Sequence, residues 1–265
     1  MILVGIIAIL LIFFILFKFN NKFNNKFNNK FNNKFNNKFN NKFKFYCINL
    51  DSSNERWKKI KQQALREKID ITRISAVDGR LLNSKDYINN SILHPNHTLS
   101  LGQLGCALSH IKTLQLIEKK DSSIYHIILE DDVIIPANIL YKLNSIVETK
   151  LPDADIHFLG GCNVKGNLVN KQWIKPNVFD ASYNLCCHAM MISPTKIPKI
   201  LNILQPLYSP IDNQLRDSFE NHLDVYYLHP FLIQQDKRLK SIRRKIDGKP
   251  DSLFWIKHHN NVKIV

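Results

Sequence analysis

The sequence predicts an α/β fold with a mostly parallel central sheet flanked by helices, and three observations support this prediction. Segments typical of strands and of amphipathic helices alternate along residues 46–265, as in proteins built on a parallel sheet. Hydrophobic residues make up 45% of the 265-residue chain, which is enough for a large buried core. An apolar run over residues 127–135 is interrupted only by Glu130, Asp131 and Asp132, which indicates a buried strand with charge at its end.

The first 17 residues contain no charged side chain and predict an uncleaved membrane anchor, near the lower length limit for a spanning helix. Residues 18–45 follow as a tether, in which the tetrapeptide Lys-Phe-Asn-Asn repeats over residues 18–41 and cannot build a core. We therefore expect a single-pass membrane protein. The side of the membrane stays open, because lysines after the anchor favour a cytoplasmic domain whereas a type II enzyme would face the lumen.

The positive charge of the chain is concentrated in this tether. The formal net charge is +15, but eight lysines lie between Lys18 and Lys44, and no acidic residue precedes Asp51. The excess over residues 46–265 is therefore moderate, which disfavours a nucleic-acid-binding protein and is compatible with an enzyme for anionic nucleotides. The five cysteines lack the paired spacing of a zinc site, and we expect buried free thiols.

The strands and helices follow one another from residue 45. Residues 45–50 predict a first strand, residues 55–68 a helix with a capping box at residues 52–55, and residues 71–76 a second strand. Later apolar patterns predict helices over residues 138–150 and 194–204, and strands over residues 156–159, 187–193 and 225–228, the last of the chain.

A second capping box, formed by Ser100 and Gln103, opens a helix that carries Cys106, Ser109 and His110 in its first turns. Cys106 and His110 are four residues apart on one side of the helix, so one interpretation is a cysteine nucleophile with histidine as its base. A second interpretation is a hydrolase in which Ser109 and His110 act together. Neighbouring residues on a helix point about 100° apart, which fits a serine–histidine pair poorly. The third interpretation is a helix start that packs against a ligand site.

The three carboxylates are the strongest candidate site. In an extended strand Glu130 and Asp132 point to one side and Asp131 to the other. Such a pair suits a Mg²⁺ or Mn²⁺ ion that stabilises the diphosphate of a departing nucleotide. The alternative is an ordinary Asp-Asp turn after a strand. Asp212, two residues after Pro210, is a second acidic candidate, and the alternative there is an Asx turn after the proline.

Several motifs in this order resemble glycosyltransferase family 25, which includes lipopolysaccharide and procollagen galactosyltransferases. They are Ile48-Asn49-Leu50-Asp51 with Arg56, Asp78-Gly79, Leu101-Gly102-Gln103-Leu104-Gly105-Cys106 with Ser109-His110, Leu129-Glu130-Asp131-Asp132-Val133, and Pro210-Ile211-Asp212. The resemblance implies a GT-A-type fold, a divalent metal, and inverting transfer from a UDP-sugar. Gln103 stands where many members have glutamate, and Ser241-Ile242 lacks a neighbouring acidic residue often found there.

The resulting expectation is a metal-dependent hexosyltransferase that moves galactose or glucose from UDP to a glycan or protein hydroxyl, including collagen-like acceptors. Asp132 and Asp131 are the expected metal ligands, and Asp212 is the expected catalytic base. The expected nucleotide-sugar contacts are Asn49, Asp51, Arg56, Asp78, Gly105, Ser109, His110 and Glu130.

Other contacts and functions stay open at this point. Tyr183 and Asn184 are candidate sugar contacts, a basic cluster over residues 237–245 could meet the diphosphate or an anionic membrane, and His229, His258 or His259 could complete a metal shell. A catalytically inactive, membrane-tethered protein that binds sugar nucleotides or anions is the main alternative. The third hypothesis for the function is a metal-dependent phosphoryl-transfer enzyme, although the sequence lacks the common phosphate-binding loop.

Overall fold

The computed structural model describes residues 42–149, 151–177, 185–219, 222–236, 238–239, 242, 246–247 and 262–264. The predicted anchor and residues 18–41 of the tether lie outside this range. Among the described residues, no helix is both long and apolar enough to cross a membrane.

Helices and strands alternate through the described part of the chain, with a central sheet of nine strands in the order β11-β6-β7-β9-β5-β8-β3-β1-β2. The strands are β1 (Phe43–Asn49), β2 (Ile71–Ser75), β3 (Tyr125–Glu130), β4 (Val133–Ile134), β5 (Ile156–Phe158), β6 (Val164–Val169), β7 (Trp173–Pro176), β8 (Ala189–Ile192), β9 (Val225–Leu228), β10 (Gln234–Gln235) and β11 (Val262–Ile264). The α-helices are α1 (Asn54–Glu67), α2 (Ser84–Asn89), α3 (Leu101–Glu118), α4 (Ile139–Glu148), α5 (Ile197–Ile203) and α6 (Ile211–Arg216).

The sheet is mixed: its described strand pairs divide into four parallel and four antiparallel ones, so the mostly parallel sheet that was predicted is confirmed only in part. Strand β1 lies between β2 and β3 and is parallel to both. Strand β8 runs antiparallel to its neighbours β3 and β5, and β7 runs antiparallel to β6 and β9. All other strands of this sheet share one direction, so the carboxyl ends of β1, β2 and β3 meet at one edge. The register places Ile48 beside Glu130 and Asn49 beside Ser75.

The core lies on both faces of the sheet because side chains alternate along each strand. Phe45 and Cys47 of β1 face one side, together with apolar residues of α1 and α4. Tyr46 and Ile48 face the other side, together with residues of α3 and α5. Strand β1 begins at Phe43, two residues earlier than predicted, because Phe43 is itself buried against this core.

The two predicted capping boxes have different outcomes. In α3 the Ser100 side chain accepts from the Gln103 backbone N–H while Gln103 accepts from the Ser100 backbone N–H, as predicted. In α1 the N-cap is Ser53, and its side chain makes no capping hydrogen bond, so that capping box was wrong. Ser53 instead donates its backbone N–H to the Leu50 carbonyl in the preceding turn.

Other departures occur where local patterns are short or polar. The predicted helix over residues 194–204 divides into a 3₁₀ turn, Pro194–Lys196, and α5. The β6–β7 hairpin was not predicted, since β6 is exposed or half-buried at most positions in its second half. Strand β9 is not the last, because β10 and β11 follow it.

The expectation that all cysteines are free thiols was wrong for one pair. Cys162 and Cys186 form a disulfide with a Cα–Cα distance of 5.5 Å, whereas Cys47, Cys106 and Cys187 keep their thiol groups. Backbone hydrogen bonds between Cys162 and Leu185 in both directions bring the two cysteines together. This pairing joins residues 24 positions apart and leaves no spacing signal in the sequence.

Two buried histidines predict how stability depends on pH. Burial lowers the pKa of His126 and of His157, and the carbonyl of Pro152 accepts from His157 Nε2 at 2.9 Å. The unfolded chain, with histidine pKa values of about 6.5, then binds more protons than the folded chain in mild acid. We expect these two histidines to leave the free energy of unfolding unchanged above about pH 6.5. Below that pH the free energy of unfolding should decrease as the pH falls, because the unfolded chain binds the additional protons.

Thermal unfolding of wild type and His157→Phe between pH 8 and pH 5 checks this expectation. As the pH falls, the unfolding temperature of wild type should decrease more than that of the variant, because only wild type loses stability when His157 is protonated in the unfolded chain. An exposed-histidine variant, His94→Gln, is the matched control and should follow wild type. A constant difference between wild type and His157→Phe would contradict the expectation.

Candidate active site

Three carboxylates lie at the carboxyl edge of the parallel strands, where ligands commonly bind in open α/β sheets. Strand β3 ends at Glu130, and Asp131 and Asp132 form a turn before β4. The alternation of side chains predicted for an extended strand therefore stops at Glu130. The carboxylates still interact electrostatically: after burial, the negative charge of Glu130 is the largest cause of the raised pKa of Asp132.

Asp131 is turned into the protein and is 8% exposed. Its Oδ2 accepts from Asn49 Nδ2 at 2.6 Å, and its Oδ1 accepts from Arg56 at 2.7 Å. The Asn49 side chain also receives a hydrogen bond from Arg73 Nε at 2.8 Å and donates to the Ser53 carbonyl. These contacts tie the ends of β1, β2 and β3 to the start of α1.

Asp132 is more accessible, with 21% of its side chain exposed. Gln235 Nε2 donates to its Oδ1 at 3.4 Å, and Arg56 lies 3.9 Å from its Oδ2. Burial, followed by the Glu130 charge, raises the pKa of Asp132 to about 7. Glu130 and Asp131 both raise this pKa while Arg56 lowers it, so two carboxylates and one guanidinium group surround Asp132, an arrangement that can accept a cation.

Glu130 is held by helix α3. His110 Nε2 lies 3.2 Å from Glu130 Oε1, and since a carboxylate accepts, Nε2 carries the proton of this hydrogen bond. The His110 side chain is 1% exposed, while 27% of Glu130 is exposed. The ligand atoms of Cys106, His110 and Glu130 lie within 4.8 Å of one another. Helix α3 thus contributes a histidine that fixes the orientation of one partly exposed carboxylate.

Gly105 and Ser109 place this helix against the loop after β2. A Cβ at Gly105 would lie 2.7 Å from the Val77 carbonyl oxygen, so only glycine permits this approach. Ser109 Oγ donates to the Gly105 carbonyl and accepts from the Val77 backbone N–H at 2.8 Å. Both residues are buried, and the contacts that the structure gives them are with the protein itself.

Asp51 and Asp78 lie on the loops that follow β1 and β2. Asp51 is 71% exposed and accepts from Ser75 Oγ at 2.6 Å, with Arg73 at 3.6 Å. Asp78 is paired with Arg80, whose hydrogen bonds lower the pKa of this carboxyl group. Arg80 also donates to Ser52 Oγ at 3.3 Å, which connects the two loops beside the carboxylates.

Asp212 approaches the same region from the first turn of α6. Its Oδ2 accepts from the Cys186 backbone N–H at 3.4 Å. The next residues after Cys186 contact the end of β3, because the His188 carbonyl accepts from the Glu130 backbone N–H at 3.0 Å. Residues 186–188 therefore connect the candidate base to the β3 carboxylates, although these residues are far apart in the sequence.

The donor set at this edge fits a divalent cation. Carboxylate oxygens are the ligands that Mg²⁺ and Mn²⁺ prefer, and Asp132 and Glu130 are both partly exposed. Asp131 differs because both of its oxygens already accept short hydrogen bonds. Asp132, with Glu130 beside it, is thus better placed than Asp131 to receive an ion.

One further histidine candidate, His229, lies outside the carboxylate site. His229 lines a groove of about 650 Å³ with Tyr141 and Phe231, and none of the three carboxylates lines it. Tyr183, Asn184, His258, His259 and Ser241 lie outside the described residues, as do Lys237, Lys240, Arg243, Arg244 and Lys245 of the basic cluster.

Two contacts of the site were missed by sequence reasoning. Gln235 contacts Asp132 because β10 pairs with β4, opposite Val133. Arg73, half-buried in β2, reaches Asn49 and the Leu50 carbonyl at the end of the neighbouring strand β1. A glutamine in a two-residue strand and an arginine in an amphipathic one carry no distinctive pattern, so no local signal would have identified them.

The sequence of this chain matches a known protein family. The model of the family described as glycosyltransferase family 25 (LPS biosynthesis protein) matches residues 42–215. The chain is also similar to the Mus musculus protein named inactive glycosyltransferase 25 family member 3, with 26% identity over 195 residues. That alignment covers 69% of this chain and 33% of the mouse protein, so the chain spans about a third of that relative's length. Because the family match covers more than half of its residues, the chain belongs to glycosyltransferase family 25.

Proposed function

We propose that this protein is a metal-dependent, inverting glycosyltransferase that transfers galactose or glucose from a UDP-sugar to a hydroxyl group of a glycan or protein. The observation that carries the proposal is the pair of partly exposed carboxylates, Glu130 and Asp132, at the carboxyl edge of β1, β2 and β3 in a family 25 chain. Anionic nucleotides need a cation at such an edge, since carboxylates alone would repel a diphosphate. A GT-A-type arrangement of the sheet is part of this proposal.

In this proposal Asp132 holds Mn²⁺ or Mg²⁺, with Glu130 either completing the metal shell or receiving a hydrogen bond from the nucleotide ribose. The ion would supply positive charge to the diphosphate as it leaves the sugar carbon. Arg56, which lies between Asp131 and Asp132, would keep the turn in place and add a second positive charge nearby. His110 would orient Glu130 through the 3.2 Å hydrogen bond between them.

Asp212 is the proposed base. It would accept the proton of the acceptor hydroxyl while the oxygen attacks the sugar carbon from the face opposite UDP. Support comes from its contact with the Cys186 backbone N–H, two residues before His188, whose carbonyl accepts from the Glu130 backbone N–H. Asn49, Asp51, Asp78, Gly105 and Ser109 are proposed to contribute by shaping the loops around the nucleotide, either by contact or by holding α3 and the loops in position.

The acceptor and the cellular location belong to the proposal as well. A collagen-like protein and a glycan both offer suitable hydroxyl groups. Residues 1–17 are proposed to anchor the enzyme in a membrane as a single-pass segment, with residues 18–41 as the spacer, since residues 43–45 belong to β1. No role in nucleic-acid binding is proposed.

A second candidate function follows from the mouse relative, which is named inactive. In that case the site would bind a sugar nucleotide or another anion without transferring the sugar. The two candidates agree on binding and differ only in turnover, so they can be separated by one set of measurements.

The test is a donor screen with the full-length protein. UDP-galactose, UDP-glucose and other UDP-sugars are supplied with Mn²⁺, with and without candidate hydroxyl acceptors, and UDP release is measured beside donor affinity. Acceptor-dependent UDP release that EDTA removes and Mn²⁺ restores is the expected result. Donor binding without release under any acceptor condition would favour the inactive binding protein, and the absence of both would reject the proposed function.

A further inference from the structure

A second cluster of metal-ligand side chains lies beside the carboxylate site, at the disulfide. One ligand atom each of Cys162, Cys186 and His188 lie within 4.8 Å of one another. Cys162 and His188 are buried, and Cys186 is partly exposed. Two cysteines and a histidine are a frequent ligand set for Zn²⁺, which binds sulfur at about 2.3 Å and nitrogen at about 2.0 Å in a tetrahedron.

The backbone keeps these three side chains together independently of the disulfide. Cys162 N donates to the Leu185 carbonyl at 3.0 Å, and Leu185 N donates to the Cys162 carbonyl at 3.2 Å. His188 is fixed in turn, because its carbonyl accepts from the Glu130 backbone N–H at 3.0 Å. Breaking the bond between the sulfurs would therefore leave both thiols next to the histidine.

The tautomer of His188 also suits a metal. Its Nε2 lies 3.3 Å from the Ile233 carbonyl oxygen, and since a carbonyl can only accept, Nε2 carries the proton. Nδ1 then keeps its lone pair, which is the form that binds a cation. A ring N–H donated to a backbone carbonyl is the usual arrangement behind a metal-bound histidine.

We propose that Cys162, Cys186 and His188 form a site for a soft divalent cation, with Zn²⁺ as the preferred ion, that is available only when the disulfide is reduced. A dithiol reductant gives two electrons and two protons to the S–S bond and becomes a disulfide itself, which leaves two thiols in the protein. Binding of Zn²⁺ then releases both thiol protons and leaves the two thiolates and His188 Nδ1 as ligands. In the oxidised protein the sulfurs are bonded to each other, so the site cannot form.

Two contacts connect this cluster with the carboxylates. The Cys186 backbone N–H donates to Asp212 Oδ2, and Cys162 Sγ lies 3.7 Å from Gln235 Oε1, whose amide group donates to Asp132. Zinc binding should consequently change sugar transfer, a consequence that rests on the proposed function. The metal site itself does not depend on that function and is tested without an activity measurement.

The experiment uses Co²⁺ as a spectroscopic substitute for Zn²⁺ with the full-length protein. Cobalt bound by thiolates has a sulfur-to-metal charge-transfer absorption in the near ultraviolet, whereas cobalt bound by carboxylates alone does not. We expect this absorption after dithiol reduction and removal of the reductant, at one Co²⁺ per chain, and its loss on adding equimolar Zn²⁺. The oxidised protein should show none. Absence of the band in the reduced wild type would overturn the proposal.

Matched variants identify the ligands. Cys162→Ser should abolish the band, and His188→Gln should weaken cobalt binding at least tenfold while leaving the disulfide able to form. Cys106→Ser is the control for the other cluster, Cys106, His110 and Glu130, and should retain the band. Loss of the band in Cys106→Ser with its retention in Cys162→Ser would assign the metal to that other cluster and refute the proposal. If Cys162→Ser fails to fold, the oxidised and reduced wild type and Cys106→Ser still decide the question.

Discussion

Asp132→Asn should reduce the rate of sugar transfer from the preferred UDP-sugar by roughly a hundred- to a thousandfold, the range expected when electrostatic stabilisation of a transition state is lost. Asparagine keeps the size of the side chain and can still accept from Gln235, but it lacks the charge needed to hold a divalent ion. The measurement is kcat and KM for the donor at several Mn²⁺ concentrations. We expect weaker Mn²⁺ activation together with the loss in kcat.

Asp153→Asn is the matched control for this variant. The Asp153 side chain is 91% exposed and precedes β5, at the edge of the sheet opposite the carboxylates. Its removal should leave transfer and Mn²⁺ activation within about twofold of wild type, as expected of an exposed charge pair. Full activity of Asp132→Asn, measured beside this control, would remove Asp132 from the proposed metal site.

Arg56→Met should lower the free energy of unfolding by about 3 to 5 kcal/mol, the usual cost of removing one partner from a buried ion pair. The Arg56 and Asp131 side chains are only 13% and 10% exposed, and 2.7 Å separates their charged groups. Without the guanidinium group, the Asp131 carboxylate would remain beside Asp132 and would keep its hydrogen bond from the Asn49 amide, its other short partner among the described residues. Urea unfolding of wild type and variant at the same pH measures the difference.

A double variant shows whether the unpaired charge is the cause. Arg56→Met combined with Asp131→Asn should recover a large part of the lost stability, because the second change removes the charge that the first left unpaired. Arg238→Met is the control for arginine removal as such, since 83% of that side chain is exposed, and its unfolding midpoint should match wild type. A double variant no more stable than Arg56→Met would show that Arg56 stabilises the fold by packing instead.

Local patterns were sufficient for most of the framework. The β1–α1–β2 order, the capping box of α3 and the apolar strand that ends at Glu130 depend on residues close together in the chain, and the structure has all of them. The two strands of the β6–β7 hairpin and the disulfide were not predicted, because each depends on pairing between segments whose own composition is not distinctive. The predicted anchor lies outside the described residues.

The three carboxylates illustrate the same division most clearly. The sequence by itself determined that Glu130, Asp131 and Asp132 stand at the end of a buried strand, since unpaired acidic residues are almost never fully buried and therefore mark where an apolar strand reaches the surface. Only the tertiary structure decided their separate environments. Asp131 is turned towards Asn49 and Arg56, Glu130 towards His110, and Asp132 towards Gln235. These partners come from β1, α1, α3 and β10, and the physical reason is that burial and hydrogen bonding depend on contacts between segments that the parallel sheet brings to one edge.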